Sequence, residues 1–170
     1  MSRLELPEGD QPEIVKIWRL RPEMGEAVQQ LSHAVYAQST LPARVREAAR
    51  MRIAHVNDCA VCRGWRIPAL AEQGVDEQLY AHVEDPDAGD YSEPERLAIE
   101  YAERFALDHL SIDDAFFERL HGQFSDADIL DLTICIADFL GFGRVTQVLK
   151  LDQECSLDPA ALGGQRDGNR

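Results

Sequence analysis

An all-α fold is the class this sequence predicts, and three observations carry it. Apolar residues recur at helical spacings of three and four along most of the chain. No Val-, Ile- or Tyr-rich run alternates as a strand does, and no Asn-Gly hairpin signal occurs. Serines followed three residues later by an acid mark helix starts in the second half. The expectation is a bundle of about six to seven helices. It occupies one domain over residues 12–156, with loosely held ends at 1–11 and 157–170.

The elements follow in order. Met24, Ala27, Val28, Leu31, Ala34 and Val35 make one face of a helix ending near Gln38. Pro42 stands where a first helical turn tolerates it, and Val45, Ala48, Ala49 and Ile53 continue the next helix. Asn57 and Asp58 are good N-cap residues, which predicts a break there and a new helix beginning at the cysteines. Gly74 is its stop signal, and Pro68 inside it predicts a kink or an early end. Residues 84–90 read as a surface loop. Ser92-Glu-Pro-Glu95 opens a helix to about Asp108, with Leu97, Tyr101 and Phe105 inward; Ser111 caps a short helix carrying Phe116, Phe117 and Leu120. Ser125-Asp-Ala-Asp128 opens a long apolar helix from Ile129 to about Leu149, expected to be the most buried, with Gly141 and Gly143 permitting close packing or a bend.

Composition narrows the function classes. The chain carries a net charge of −14 and a pI near 4.6, so it repels phosphate backbones and anionic lipid; nucleic acid and membranes are excluded as expected partners. No apolar run approaches the roughly 20 residues of a bilayer span, and the start, MSRLELPEGDQPE, carries no apolar signal segment. A cytoplasmic location is expected, where a Cys-x-x-Cys is redox-active or metal-binding rather than a structural staple.

The chemistry concentrates in HVNDCAVCRGWR, residues 55–66. With Asn57 or Asp58 as cap, Cys59 lies in the first turn and Cys62 one turn later, where backbone N–H groups stabilise a thiolate. Two thiols at that spacing can close a disulfide with little movement, as peroxide reduction or dithiol exchange requires. Upstream, Glu47, Met51, His55 and Asp58 follow steps of four, four and three and share a stripe leading to the cysteine turn. Glu47 either carries protons for the thiols there, through water or His55, or pairs with Arg46 or Arg50 on a solvated face. Phe139, Phe142 and Trp65 either line an apolar pocket or are plain core. Cys135, within LTICIADFL, reads as core, and Cys155 as a free surface thiol.

Arg46-Glu47 followed by Asn57-x-Cys59-x-x-Cys62, after LPARVREAARMRIA, resembles the carboxymuconolactone decarboxylase superfamily. The nearer match is its alkyl hydroperoxide reductase D-like branch, in which a Glu, eleven residues and then Cys-x-x-Cys recur. SEPERLAIEYAERFALD and LHGQFSDADILDLTICIADFLGFGRVTQVLKL are similar to that family's C-terminal helices, so the resemblance spans roughly residues 20–150. It implies an all-helical fold assembling as trimers or hexamers, with a Glu and a His relaying protons to the cysteine pair. By position, Glu47 is the relay carboxylate, Cys62 the peroxide-attacking thiol, and Cys59 the more exposed thiol that resolves it and meets the reductant. The family's histidine falls at Arg66 here. Arginine is no base, but it can hold a thiolate or a substrate carboxylate, or simply pair with an acid. His55 is the candidate to supply the missing imidazole.

The leading expectation is therefore a thiol-dependent oxidoreductase that reduces hydroperoxides. Its only redox group is the Cys59–Cys62 disulfide, and a protein or small-thiol reductant restores it. A second reading is a lactone or decarboxylase-type enzyme on a small acidic substrate, bound through Arg66 or Arg144; it has no use for a dithiol. A third is a redox or metal-binding module without turnover, for which one Cys-x-x-Cys offers too few ligands to make structural zinc the simple choice.

Overall fold

A computed structural model describes residues 2–151; the expectations for Cys155 and for the tail from 157 lie outside the described residues. Every regular element among them is helical. Five helices of eight residues or more, α2 (Pro22–Ala37), α3 (Ala43–Val56), α6 (Glu93–Leu107), α7 (Asp114–His121) and α8 (Asp126–Val148), form the bundle. Single turns α1 (Glu13–Lys16), α4 (Ala60–Gly64) and α5 (Glu77–Ala81) connect them, with 3-10 turns between. No helix among the described residues is long and apolar enough to cross a membrane.

α3 is the centre of the molecule. Val45, Ala49 and Ile53 pack on one side against Leu97 and Tyr101 of α6 and Leu132 and Ile136 of α8. Ala48, Met51 and Ala54 pack on the other against Leu79 and Tyr80 of α5 and Ile99 of α6. Ten of the fourteen α3 residues are buried, against seven of the 23 in α8, which corrects the expectation that α8 is the most buried helix. α8 is uniformly apolar, and Leu130, Ile134 and Val148 nonetheless face solvent. The apolar face of α2 is likewise only partly covered: Val35 is buried, while Met24 and Leu31 are exposed. Periodicity marks an apolar face without saying what covers it.

The caps explain where elements begin. Ser92 and Glu95 form the expected capping box, the Ser92 N–H donating to Glu95 Oε2 at 2.9 Å. Ser125 and Asp128 do the same for α8. α7 is capped by Asp113, whose carboxylate accepts from the Phe116 N–H at 2.9 Å, and not by Ser111, which ends the preceding 3-10 turn. The helix expected from the cysteines to Gly74 ends early, at Gly64; Pro68 starts a separate 3-10 turn, which Gly74 closes with a left-handed φ of 77°. Near the other end of the chain, the Arg3 N–H donates to the Leu149 carbonyl at 2.9 Å.

Candidate active site

The break between α3 and α4 places the cysteines. Asn57 closes α3, and its side-chain amide donates to the Phe139 and Leu140 carbonyls of α8 at 3.3 and 3.2 Å. Gly143 makes that approach possible, since a Cβ at 143 would collide with the Asn57 amide. Arg144 is engaged there too, its Nε donating to Asn57 Oδ1 at 3.2 Å. Asp58 turns the chain through a left-handed φ of 48°. The cap of α4 is then Cys59 itself, not Asn57 or Asp58: its Sγ accepts from the Cys62 N–H at 3.1 Å. A five-residue helix has little dipole, so this single directed N–H is what the turn offers a sulfur.

Cys59 and Cys62 are joined as a disulfide. Their environments differ in the sense opposite to that expected. Cys59 is 0% exposed, its Sγ 3.9 Å from Thr146 Oγ1 on α8, whereas Cys62 is half-buried and lines a cavity. The more accessible thiol is Cys62.

Behind the pair lies a buried charged cluster. Glu47 is 0% exposed, and its Oε2 accepts from Arg50 Nε at 2.7 Å and from the Tyr80 hydroxyl at 2.9 Å. Arg50 in turn donates to the Cys62 carbonyl at 2.7 Å and to the Trp65 carbonyl at 3.3 Å. Glu47 thus reaches the cysteine turn through Arg50. Burial works against the Arg50 charge, but the Glu47 carboxylate together with the Tyr36 and Tyr80 hydroxyls outweighs it and holds the guanidinium above its ordinary pKa. Burial, with Glu47 beside it, pushes the Tyr80 hydroxyl up to about 12. Glu47 Oε1 has no hydrogen-bond partner among the described residues. Glu47 pairs with Arg50, as one of the two alternatives had it, but in the interior and not on a solvated face.

His55 and Arg66 do not join this cluster. His55 Nδ1 lies 2.8 Å from Oε2 of Glu84, a carboxylate 64% exposed. Arg66 Nε and Nη2 donate to Glu77 at 2.6 and 2.9 Å, and its guanidinium lies 4.2 Å above the Tyr80 ring. The family's histidine position therefore carries a cation turned to a surface acid. Two links lead from it to the interior: the Tyr80 ring, whose hydroxyl Glu47 holds, and the Trp65 carbonyl, which accepts from Arg66 Nη1 at 2.8 Å as well as from Arg50.

The cavity beside Cys62 measures about 810 Å³ and lies between α1, α2, α3 and α8. Trp65, Phe139 and Phe142 line it, the pocket-lining alternative for those residues, and Trp18 joins them edge-on to Phe142 at 5.9 Å. One acid stands in it: Asp138, 6% exposed, its Oδ1 accepting from Ser32 Oγ at 3.2 Å. Burial pushes its carboxyl up to about 6 while the Ser32 hydrogen bond pulls the other way. Sequence reasoning passed over Asp138, although a single acid inside LTICIADFLGF is a legible signal. Tyr80, 33 residues beyond Glu47, carried none. Cys135 is core as expected: it is buried, donates to Asp131 Oδ1 at 3.3 Å, and is pushed up to about 12 by burial and that carboxylate.

Residues 22–103, from α2 through most of α6 and including Glu47, Cys59 and Cys62, match the model of the carboxymuconolactone decarboxylase family. Fold and match together define the class: an all-helical protein with the AhpD-like fold, in which just under half of the chain matches the carboxymuconolactone decarboxylase family model. Among solved structures it is similar to an uncharacterized peroxidase-related protein from Silicibacter sp. TM1040, with a TM-score of 0.76 and 18% identity over 89% of this chain and 91% of that one. It is also similar to a protein of unknown function from Agrobacterium tumefaciens, for which AhpD-type antioxidant defence has been suggested (TM-score 0.63, 25% identity, 79% and 92% covered). A third is the debrominase Bmp8 bound to 2,3,4-tribromopyrrole (TM-score 0.70, 18% identity, 91% and 82% covered). No curated protein sequence matches the chain.

Proposed function

We propose that this protein is a thiol-dependent oxidoreductase that reduces hydroperoxides with the Cys59–Cys62 pair. The observation that carries the reading is the asymmetry of the pair: one sulfur-bearing residue on a cavity, the other buried behind it. The Cys62 thiolate attacks the distal peroxide oxygen, the O–O bond breaks, and the alcohol leaves with a proton, giving a sulfenic acid on Cys62. The Cys59 thiolate then attacks the Cys62 sulfur, the S–S bond forms, and water leaves. Regeneration runs through the same accessible sulfur. A reductant thiolate attacks Cys62 and displaces Cys59, which leaves as a thiolate accepting the Cys62 N–H. A second thiolate then attacks the mixed disulfide and frees Cys62. Reduction thus enters at Cys62, not at Cys59.

Glu47 and Arg50 are positioning residues in this scheme. Arg50 clamps the Cys62 and Trp65 carbonyls and so sets the turn, while Glu47 keeps Arg50 in place and offers Oε1 as a free proton acceptor. The cycle requires a reducing compartment, in line with a cytoplasmic location. Exposed Met24 and Leu31 on α2 and Leu130 and Ile134 on α8 support self-association into the trimers or hexamers of the family, which light scattering reads directly.

The test is thiol counting on the dithiol-reduced protein with cumene hydroperoxide. Two of the four cysteines disappear on treatment and return with dithiothreitol; Cys59→Ser accumulates a sulfenic acid that dimedone traps, and Cys62→Ser loses nothing. Unchanged thiol counts in the wild-type protein would end the proposal.

A further inference from the structure

The acid in the cavity has no part in the thiol scheme. Asp138 sits on α8 among apolar neighbours, 6% exposed, with Ser32 its one hydrogen-bond partner among the described residues, through Oδ1. Oδ2 is left to the cavity. No arginine, lysine or histidine forms an ion pair with it among the described residues. Arg50 also lines the space, yet Glu47 already pairs its charge and each of its three nitrogens already donates, one to Glu47 and two to carbonyls. Arg46 lies beyond the lining, its guanidinium 5.7 Å over the Tyr36 ring. His33 stands on the exposed rim. A ligand entering this apolar space therefore meets a buried carboxylate with a vacant acceptor and no available cation.

We propose that Asp138, seated by Ser32, makes this cavity a binding site for small apolar molecules that carry a hydroxyl or amine group, and excludes those that carry a carboxylate. A hydrogen-bond donor on the ligand satisfies Oδ2 in a low-dielectric setting, where the bond is strong. A carboxylate there places two like charges together without water to screen them. The inference rests on the cavity of the proposed thiol site and names its substrate class: neutral or cationic apolar molecules, in place of the acidic substrates of a lactone-type enzyme. A hydroperoxide O–H is itself such a donor.

Occupancy can be read without turnover, because the chain's two tryptophans, Trp18 and Trp65, both line the cavity. The oxidised protein is titrated with 1-octanol, octylamine and octanoate at about pH 8 and about 0.15 M salt, following tryptophan fluorescence. Octanol and octylamine are expected to bind at least about tenfold more tightly than octanoate. Asp138→Asn is expected to bring octanoate within about threefold of octanol and to weaken octylamine about tenfold. The amine-against-carboxylate order in the wild-type protein decides the matter even where the variant loses helicity. Octanoate binding as tightly as octylamine, no binding of octanol, or an unchanged order in a folded Asp138→Asn would overturn the inference. None of these results bears on peroxide-driven thiol loss, so the two proposals fail separately.

Discussion

The two faces of α3 are equally buried and physically opposite. Ala49 and Ile53 meet α6 and α8 in an apolar cluster, while Glu47 and Arg50, within one turn of them, form a charged pair that is as completely enclosed. The apolar face stabilises in proportion to area, about 25 cal/mol per Å² removed from water. The charged face gains its stability only from exact partners, because desolvating two ions costs several kcal/mol each and the attraction must offset it. A well-packed hydrophobic pair in the same space would be as stable or more so. What the pair adds is geometry, since Arg50 fixes the Cys62 carbonyl. One face of the helix holds the fold and the other holds the cysteine turn.

The largest test of that division removes one ion. Glu47→Ala leaves Arg50 buried and uncompensated and is expected to lower unfolding free energy by about 3–5 kcal/mol in urea titrations. The double variant Glu47→Gln with Arg50→Met is expected to recover most of that stability, yet to keep less than about a tenth of the wild-type rate of peroxide-driven thiol loss. Full thiol reactivity in the stable double variant would dissolve the distinction between the faces. The next test is its mirror image. Leu132→Ala cuts a cavity into the apolar cluster, where Leu132 is 0% exposed, and is expected to cost about 2–5 kcal/mol with thiol reactivity per folded molecule unchanged.

This contrast also explains what could be read in the sequence. The helices were legible because capping and periodicity are local: Ser92 with Glu95, Ser125 with Asp128, and the three-four spacing of Val45, Ala49 and Ile53 all lie within a few residues. Cys59, Cys62 and Glu47 were legible from spacing and family pattern. Their surroundings were not, because these depend on chain segments far apart. Tyr80 reaches Glu47 from α5, Asn57 reaches the Phe139 and Leu140 carbonyls across to α8, and Ser32 meets Asp138 from α2. The exposure order of the cysteines was misjudged for the same reason. Thr146, 87 residues downstream of Cys59, and the rest of α8 close over it. The stripe from Glu47 to His55 was real but divided, the Glu turning inward and the His to Glu84 on the surface.

A smaller effect, of opposite sign, belongs to the cavity. Asp138 titrates at about 6 in the folded chain, above its ordinary 3.8, so the folded state binds the proton more tightly than the unfolded state. Between those values stability falls as pH rises, and above about 6 the full penalty of the buried carboxylate is present. Asp138→Asn is therefore expected to stabilise the protein by about 1–3 kcal/mol near pH 8 and by nothing near pH 4. Denaturant midpoints of both proteins across that range check it. A gain that is constant with pH would mean that Asp138 is ionised without cost, and the cavity would be wetter than its apolar lining implies.

The smallest effect is expected at the position where the family places its histidine. Arg66 holds Glu77 with two short hydrogen bonds, but Glu77 is 74% exposed and water competes for both partners. Exposed pairs of this kind contribute about 0.2–1 kcal/mol, and the guanidinium over the Tyr80 ring about 0.5–1 kcal/mol more. Arg66→Ala should thus cost under about 2 kcal/mol. Neither it nor His55→Gln should move the pH profile of Cys62 alkylation, because neither side chain bonds to Glu47, to Arg50 or to either sulfur, and each pairs with a surface acid. Arg66 could matter by two routes: the Tyr80 ring, whose hydroxyl shares Glu47 Oε2 with Arg50, and the Trp65 carbonyl, which accepts from both arginines. Tyr80→Phe removes that hydroxyl and keeps the ring, so it separates the two roles. If Arg66→Ala shifts the alkylation profile and Tyr80→Phe shifts it equally, the cation acts by holding the tyrosine on Glu47. If Arg66→Ala alone shifts it, Arg66 acts through the Trp65 carbonyl it shares with Arg50, and the division of α3 into a structural and a chemical face omits a residue outside the helix.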